Sequence, residues 1–80
     1  MVDYDKNVVG KVICRLRKER NLSQEVLSGL AGMARSHLSM IEHGTKQANF
    51  ETVWRLANAL RIKPHTLVKK IEEESERTKQ

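Results

Sequence analysis

The chain has 80 residues, 39% of them hydrophobic, with only Tyr4, Phe50 and Trp54 aromatic and a single proline. That length allows one domain with a small core, and so few aromatics argue against a β-sandwich and for an all-α bundle. A net charge of +5, Cys14 as the one cysteine and no apolar run of membrane-spanning length exclude an intrachain disulfide, a Cys-based zinc cluster and a transmembrane protein.

The charge is unevenly spread. Residues 6 to 70 hold 13 Lys or Arg against only Glu19, Glu25, Glu42 and Glu51, while Asp3, Asp5, Glu72, Glu73, Glu74 and Glu76 sit at the two ends. A basic body predicts an anionic partner, with nucleic acid ahead of a membrane surface. The opening MVDYDKN is polar, so no signal peptide is expected, and a protein of the reducing cytoplasm follows. The whole chain, 1–80, is expected to be one domain with its core near 8–72 and a polar tail.

In chain order, Val9, Val12, Ile13 and Leu16 recur at the spacing of one helix face and predict a first helix near residues 7 to 20, stopped at Asn21. Arg17, Lys18 and Arg20 fall in its last turn, where the helix dipole favours cations. Cys14 lies on its outward face. Residues 22–45 read LSQEVLSGLAGMARSHLSMIEHGT, with apolar stripes on both sides of Gly32. Ser23 caps a second helix near 24 to 31, whose stripe is Leu27, Leu30 and Ala31, with Glu25 in the first turn. Gly32 then turns the chain in the left-handed conformation that glycine adopts cheaply. A third helix near 35 to 43 follows at once, carrying Leu38 and Ile41 and ending at Gly44. Asn49 caps a fourth helix with the stripe Phe50, Val53, Leu56, Ala57 and Leu60. Pro64 opens a fifth, with Leu67, Val68 and Ile71 apolar, and the closing SERTKQ is expected to fray.

Two short helices meeting at a glycine corner form a helix-turn-helix unit. With the Leu38/Ile41 stripe facing the core, Ser36, Ser39, Met40 and His43 point outward, and Arg35 reaches out from the flank.

The chain resembles the lambda-repressor/Cro-like (XRE) helix-turn-helix family. The resemblance rests on Gly10, Ile13, Leu16-Arg17 within RLRKERNLSQ, and Leu22-Ser23-Gln24. It continues through Leu27, Gly32, Arg35-Ser36, Leu38-Ser39, Ile41-Glu42 and Gly44 into FETVWRLANAL. It covers roughly residues 8 to 72. It implies a five-helix fold and a transcriptional regulator binding duplex DNA as a homodimer on a palindromic operator, in the manner of phage-type repressors or restriction–modification controller proteins. Arg35, Ser36, Ser39 and Met40 are then the base-reading residues: arginine is suited to guanine, serine to several bases, and methionine to a thymine methyl. Gln24, His43, Thr45 and Lys46 are the DNA-backbone contacts, which set register without reading sequence. Arg17 and Glu42 are implied to form a structural salt bridge, while Gly32 and Gly44 answer backbone requirements. A dimer interface is expected from Trp54, Leu67, Val68 and Ile71.

Five positions depart from the family pattern. Ala34 replaces the hydroxyl cap of the third helix, Ser28 replaces a small alanine, Ala48 stands where proline is common, and Val26 and Trp54 are unusually apolar. No cofactor is expected and no enzyme motif is present. His37 and His43 project apart on one helix and His65 lies on another, so no metal site is expected. Two other readings remain open: a protein-interaction module such as an antitoxin, using the tail EEESERTKQ, and a non-specific nucleic-acid binder.

Overall fold

The computed structural model describes residues 3–78 and forms five helices from them: α1 (Lys6–Glu19), α2 (Gln24–Ala31), α3 (Arg35–Glu42), α4 (Phe50–Ala59) and α5 (Pro64–Thr78), with no strand among the described residues. Side-chain oxygens satisfy free backbone donors at three helix starts: Asp5 accepts from Asn7 N (2.9 Å), Ser23 from Val26 N (3.0 Å) and Asn49 from Thr52 N (2.8 Å). Ala34 offers α3 no side-chain cap, as the sequence foretold. Turns out of the helices use left-handed residues. Gly32 (φ 69°) and Gly44 (φ 78°) follow α2 and α3 as expected, and Asn21 (φ 57°) follows α1. Arg61 (φ 61°) after α4 is a non-glycine exception that the sequence did not announce.

The core gathers one face of every helix. Val12, Ile13, Leu27, Leu38, Ile41, Leu56, Leu60 and Leu67 are its largest fully buried side chains. α1 packs on α3 and α5, α2 on α3 and α4, and α4 on α5. Gly10 permits the α1–α3 approach: a Cβ there would lie inside contact distance of the Ile41 and Glu42 carbonyl oxygens, both backbone atoms with little room to move. Ser28 is buried between helices with its hydroxyl donating to the Glu25 carbonyl at 3.0 Å, so the polar atom is satisfied. Ala48 is buried against the core, which anchors the loop into α4 without a proline.

Several expectations are corrected. Leu67, assigned to a dimer interface, has no exposed surface and belongs to the core. Ile71 is half-buried and packs on the same core. Phe50, read as core, is 71% exposed. It is the first residue of α4, and helical side chains lean towards the N-terminus, so its ring overhangs the helix end. Leu30 is also exposed, because α2 turns Leu27, Ser28 and Ala31 inward and rolls Leu30 out.

The tail does not fray at Ser75. α5 runs on to Thr78, with Glu74 and Ser75 buried. The expected fraying of Lys79 and Gln80 lies outside the described residues. Arg15 donates to Glu74 at 3.0 Å, and Arg77 also pairs with Glu74. These two arginines, Arg15 first, hold the Glu74 carboxyl below the usual carboxylate range. Ser75 donates to the Ile71 carbonyl at 2.9 Å. Polar contacts thus seat on α1 a helix end whose sequence looks like a solvated tail.

Candidate nucleic-acid interface

The corner between α2 and α3 begins with a buried ion pair. Arg17 donates from Nε to Glu42 Oε2 at 2.7 Å and from Nη2 to Oε1 at 3.0 Å, a two-pronged contact between side chains only 11% and 3% exposed. Its Nη1 donates to the Leu22 carbonyl at 2.8 Å, so one guanidinium joins α1, the loop into α2 and the end of α3. Burial pushes the Glu42 carboxyl up, but the hydrogen bonds from Arg17 and Gln24 outweigh it and leave the group below the usual carboxylate range. The same hydrogen bond to Glu42 raises Arg17.

The chain of contacts continues outward. Gln24, the first residue of α2, donates from Nε2 to Glu42 Oε1 at 3.0 Å, and its Oε1 accepts from Arg35 Nη1 at 3.4 Å. Arg17, Glu42, Gln24 and Arg35 therefore form a relay from α1 to the exposed start of α3. Gln24 is half-buried and its amide is held in one orientation, while Arg35 keeps its other guanidinium donors for an external acceptor. On the other side, Arg55 of α4 donates to the Gly32 carbonyl at 3.4 Å and pairs with Glu51 at 3.0 Å, which ties the turn itself to α4.

The outer face of α3 carries the predicted contact residues. Arg35 and Ser36 are exposed, Met40 is 40% exposed, and Ser39 is half-buried one turn beyond them. Past the helix, the His43 ring approaches the Ser39 carbonyl through Nδ1 at 2.7 Å, as a donor, since a carbonyl oxygen only accepts. Thr45 donates its hydroxyl to the Met40 carbonyl at 3.2 Å, and the backbone N–H groups of Thr45 and Lys46 reach that same oxygen. His43, Thr45 and Lys46 are all exposed and stand in sequence just after α3. The structure thus groups Arg35, Ser36, Ser39, Met40, His43, Thr45 and Lys46 on α3 and its exit, with Gln24 joined to them through Arg35. Such a surface offers several donors, a long cation and an apolar contact on a rod of two turns, with a second long cation, Lys46, at its exit. That combination suits the edge of a base-paired duplex, whose major groove admits a helix.

The proposed interface residues of the other end separate. Trp54 and Val68 are 49% and 45% exposed, whereas Leu67 and Ile71 face inward. Trp54 and the unforeseen Phe50 meet as a tilted ring pair, with a centroid distance of 5.9 Å and an interplanar angle of 58°. With Val53, Pro64, His65 and Val68 they line a groove of about 240 Å³ between α4 and α5. Cys14, expected to face solvent, is half-buried, and its Sγ accepts from Arg17 Nη2 at 3.7 Å.

A helix-turn-helix family model, HTH_3, matches residues 15–67. The uncharacterized HTH-type transcriptional regulator y4dJ of Sinorhizobium fredii is 33% identical over 63 residues, which cover 79% of this chain and 82% of that protein. Among solved structures, the restriction–modification controller protein C.AhdI of Aeromonas hydrophila is similar at 34% identity and a TM-score of 0.75, covering 78% of this chain and 94% of its own. The controller protein C.Esp1396I, solved as a tetramer on its natural 35 base-pair operator, shares the fold with a TM-score of 0.82 at 19% identity, over 90% of this chain and 95% of that one.

Proposed function

The chain belongs to the helix-turn-helix family HTH_3, the XRE type of DNA-binding transcription regulator, and from that premise we propose that it acts as a homodimer on a two-fold-symmetric duplex operator. The observation that carries the reading is the relay Arg17–Glu42–Gln24–Arg35, which fixes the exposed start of α3 against the body of the domain. A base-reading arginine held at its base loses less side-chain entropy on binding than a free one. Arg35, Ser36, Ser39 and Met40 then meet base edges, while Gln24, His43, Thr45 and Lys46 meet phosphates on either side.

Dimerisation in this reading uses the exposed aromatic face of Phe50, Trp54 and Val68, a revision of the four residues first expected. Two exposed aromatic rings in tilted contact beside an apolar groove suit an isologous contact. C.AhdI and C.Esp1396I, as restriction–modification controller proteins, support a regulator of that kind. Two recognition helices would enter successive major grooves about 34 Å apart. Action is by occupancy in the cytoplasm and involves no catalysis. The same aromatic face would also serve a protein-interaction module, and that reading predicts a heteromeric partner in place of a second copy.

The test compares Arg35→Ala with Lys46→Ala on a matched and a scrambled duplex. Arg35→Ala is expected to cost about 1–3 kcal/mol on the matched site and to relax preference at one base position. Lys46→Ala is expected to weaken both duplexes alike. Identical behaviour of the two variants on the two duplexes would refute the assignment of roles.

A further inference from the structure

α1 and its C-cap residue Arg20 carry six cations, and three of them are committed within the domain. Arg17 is spent on Glu42, Arg20 on the Leu60 and Leu16 carbonyls, and Arg15 on Glu74. Lys11 and Lys18 are exposed and make no ion pair or side-chain hydrogen bond among the described residues. They are seven residues apart, two turns on one face, and so stand about 10 Å apart along the helix axis. With Cys14, Arg15, Glu19 and Glu42 they line an open groove of about 580 Å³. One wall of that groove is Glu42, the last residue of α3, which also binds Gln24 at the start of α2. The groove therefore begins at the edge of the proposed DNA interface and runs away from it along α1. Glu42 is neutralised by Arg17, which leaves Glu19 as the one acid in the groove opposing the two free lysines.

We propose that this α1 groove is a second DNA contact, in which Lys11 and Lys18 neutralise backbone phosphates of the duplex flanking the half-site read by α3. The inference rests on the DNA-binding reading above and extends its footprint. A duplex seated on α3 continues past the domain edge. A span of about 10 Å matches about three nucleotide steps of one strand at about 3.4 Å each. The occupant is fixed by charge and by continuity: the groove offers two unpaired ammonium groups beside a surface already assigned to a polyanion. Such contacts carry no sequence information and add affinity that depends on salt and on flank length.

The probes are two synthetic duplexes bearing one selected motif, the first cut at the motif ends and the second extended by a helical turn on each side. Wild-type protein is expected to bind the extended duplex more tightly, with a steeper fall in affinity with salt. The K11Q/K18Q double variant is expected to lose that advantage while keeping its preference for the motif over a scrambled sequence. Two phosphates per subunit correspond to a slope difference of about 1.8, so between about 50 and about 200 mM salt wild type loses about twelvefold more affinity than the variant for each subunit bound. Glu19→Gln should act in the opposite sense and tighten only the extended duplex. Cys14 gives a readout on unmutated protein, since it lines the groove: the extended duplex should slow its alkylation and the cut duplex should not. Equal slopes for wild type and the double variant, together with unprotected Cys14 and retained motif preference, would overturn the groove contact alone. Loss of motif preference in wild type on both duplexes would overturn the DNA-reading proposal and this inference with it.

Discussion

The two ends of this molecule are built on opposite principles. At the α1–α2–α3 corner the side chains are polar, buried and committed, with each hydrogen-bonding partner of Glu42 arriving from a different element. At the α4–α5 face they are apolar and exposed, and Phe50, Trp54 and Val68 line a shallow groove in which the two aromatic rings meet. The polar corner gains geometric definition, since an ion pair with two fixed prongs and an amide locked between carboxylate and guanidinium tolerates one arrangement. The apolar face gains area, which is non-directional and becomes useful only when something covers it. A surface that must hold a long side chain at a set position belongs on the first kind of construction, and an assembly surface on the second.

The largest expected effect breaks the polar corner. Glu42→Ala leaves Arg17 buried beside nothing of opposite charge and releases Gln24, and should cost about 3 kcal/mol of stability. For a domain of this size that lowers Tm by about 12 to 24 °C in a thermal melt. An Arg35 that binds its matched site unchanged in such a variant, measured below the melting range, would show that the relay stabilises the fold without positioning the reader.

Next in size is the aromatic face. Trp54→Glu places a charge where the proposed dimer closes, and should raise the dimer Kd about thirtyfold, equivalent to about 2 kcal/mol. The same change should barely move the stability of the monomer, because the ring is already half in water. Sedimentation equilibrium separates the two outcomes. A variant that unfolds without changing its association would reverse the comparison and make this face a part of the core.

Acid should act on the buried carboxylates, Glu42 at the polar corner and Glu74 where α5 sits on α1. Glu42 and Glu74 both lie below the usual carboxylate range, so their contribution to stability is complete above about pH 4.3 and is lost as pH falls through their depressed folded values. Denaturant midpoints followed downward in pH should therefore decline less steeply in Glu42→Gln than in wild type. The smallest effect is a gain: Ala34→Ser supplies the missing cap of α3 and should add about 1 kcal/mol.

Much of the corner was legible in the sequence because its signals are local. Ser23 and Asn49 are capping residues, Gly32 and Gly44 supply left-handed backbone, and Pro64 opens α5, each within a few residues of the structure it determines. The pairing of Arg17 with Glu42 came from the family resemblance; spacing of 25 residues would not have shown it. What the sequence concealed depends on rotation and on distance. Leu30 and Phe50 fit the helical period as well as their buried neighbours do, but a short helix can roll by one position, and a first-turn residue overhangs its own end. Leu67 looked available for a partner because nothing local says which apolar residue of α5 the core takes first. Glu74 and Ser75 lie in a polar tail, and only Arg15, 59 residues earlier, draws Glu74 onto the body. The tight approach at Gly10 likewise has no signature beyond a glycine inside a helix.

The central claim, a dimeric reader of duplex sequence, is tested most directly by selecting binders of the purified protein from a random duplex pool at near-physiological salt. Recovery of a two-fold-symmetric motif with half-sites about one helical turn apart is expected. A pool that stays random through successive rounds, with binding that only fades as salt rises, would contradict it.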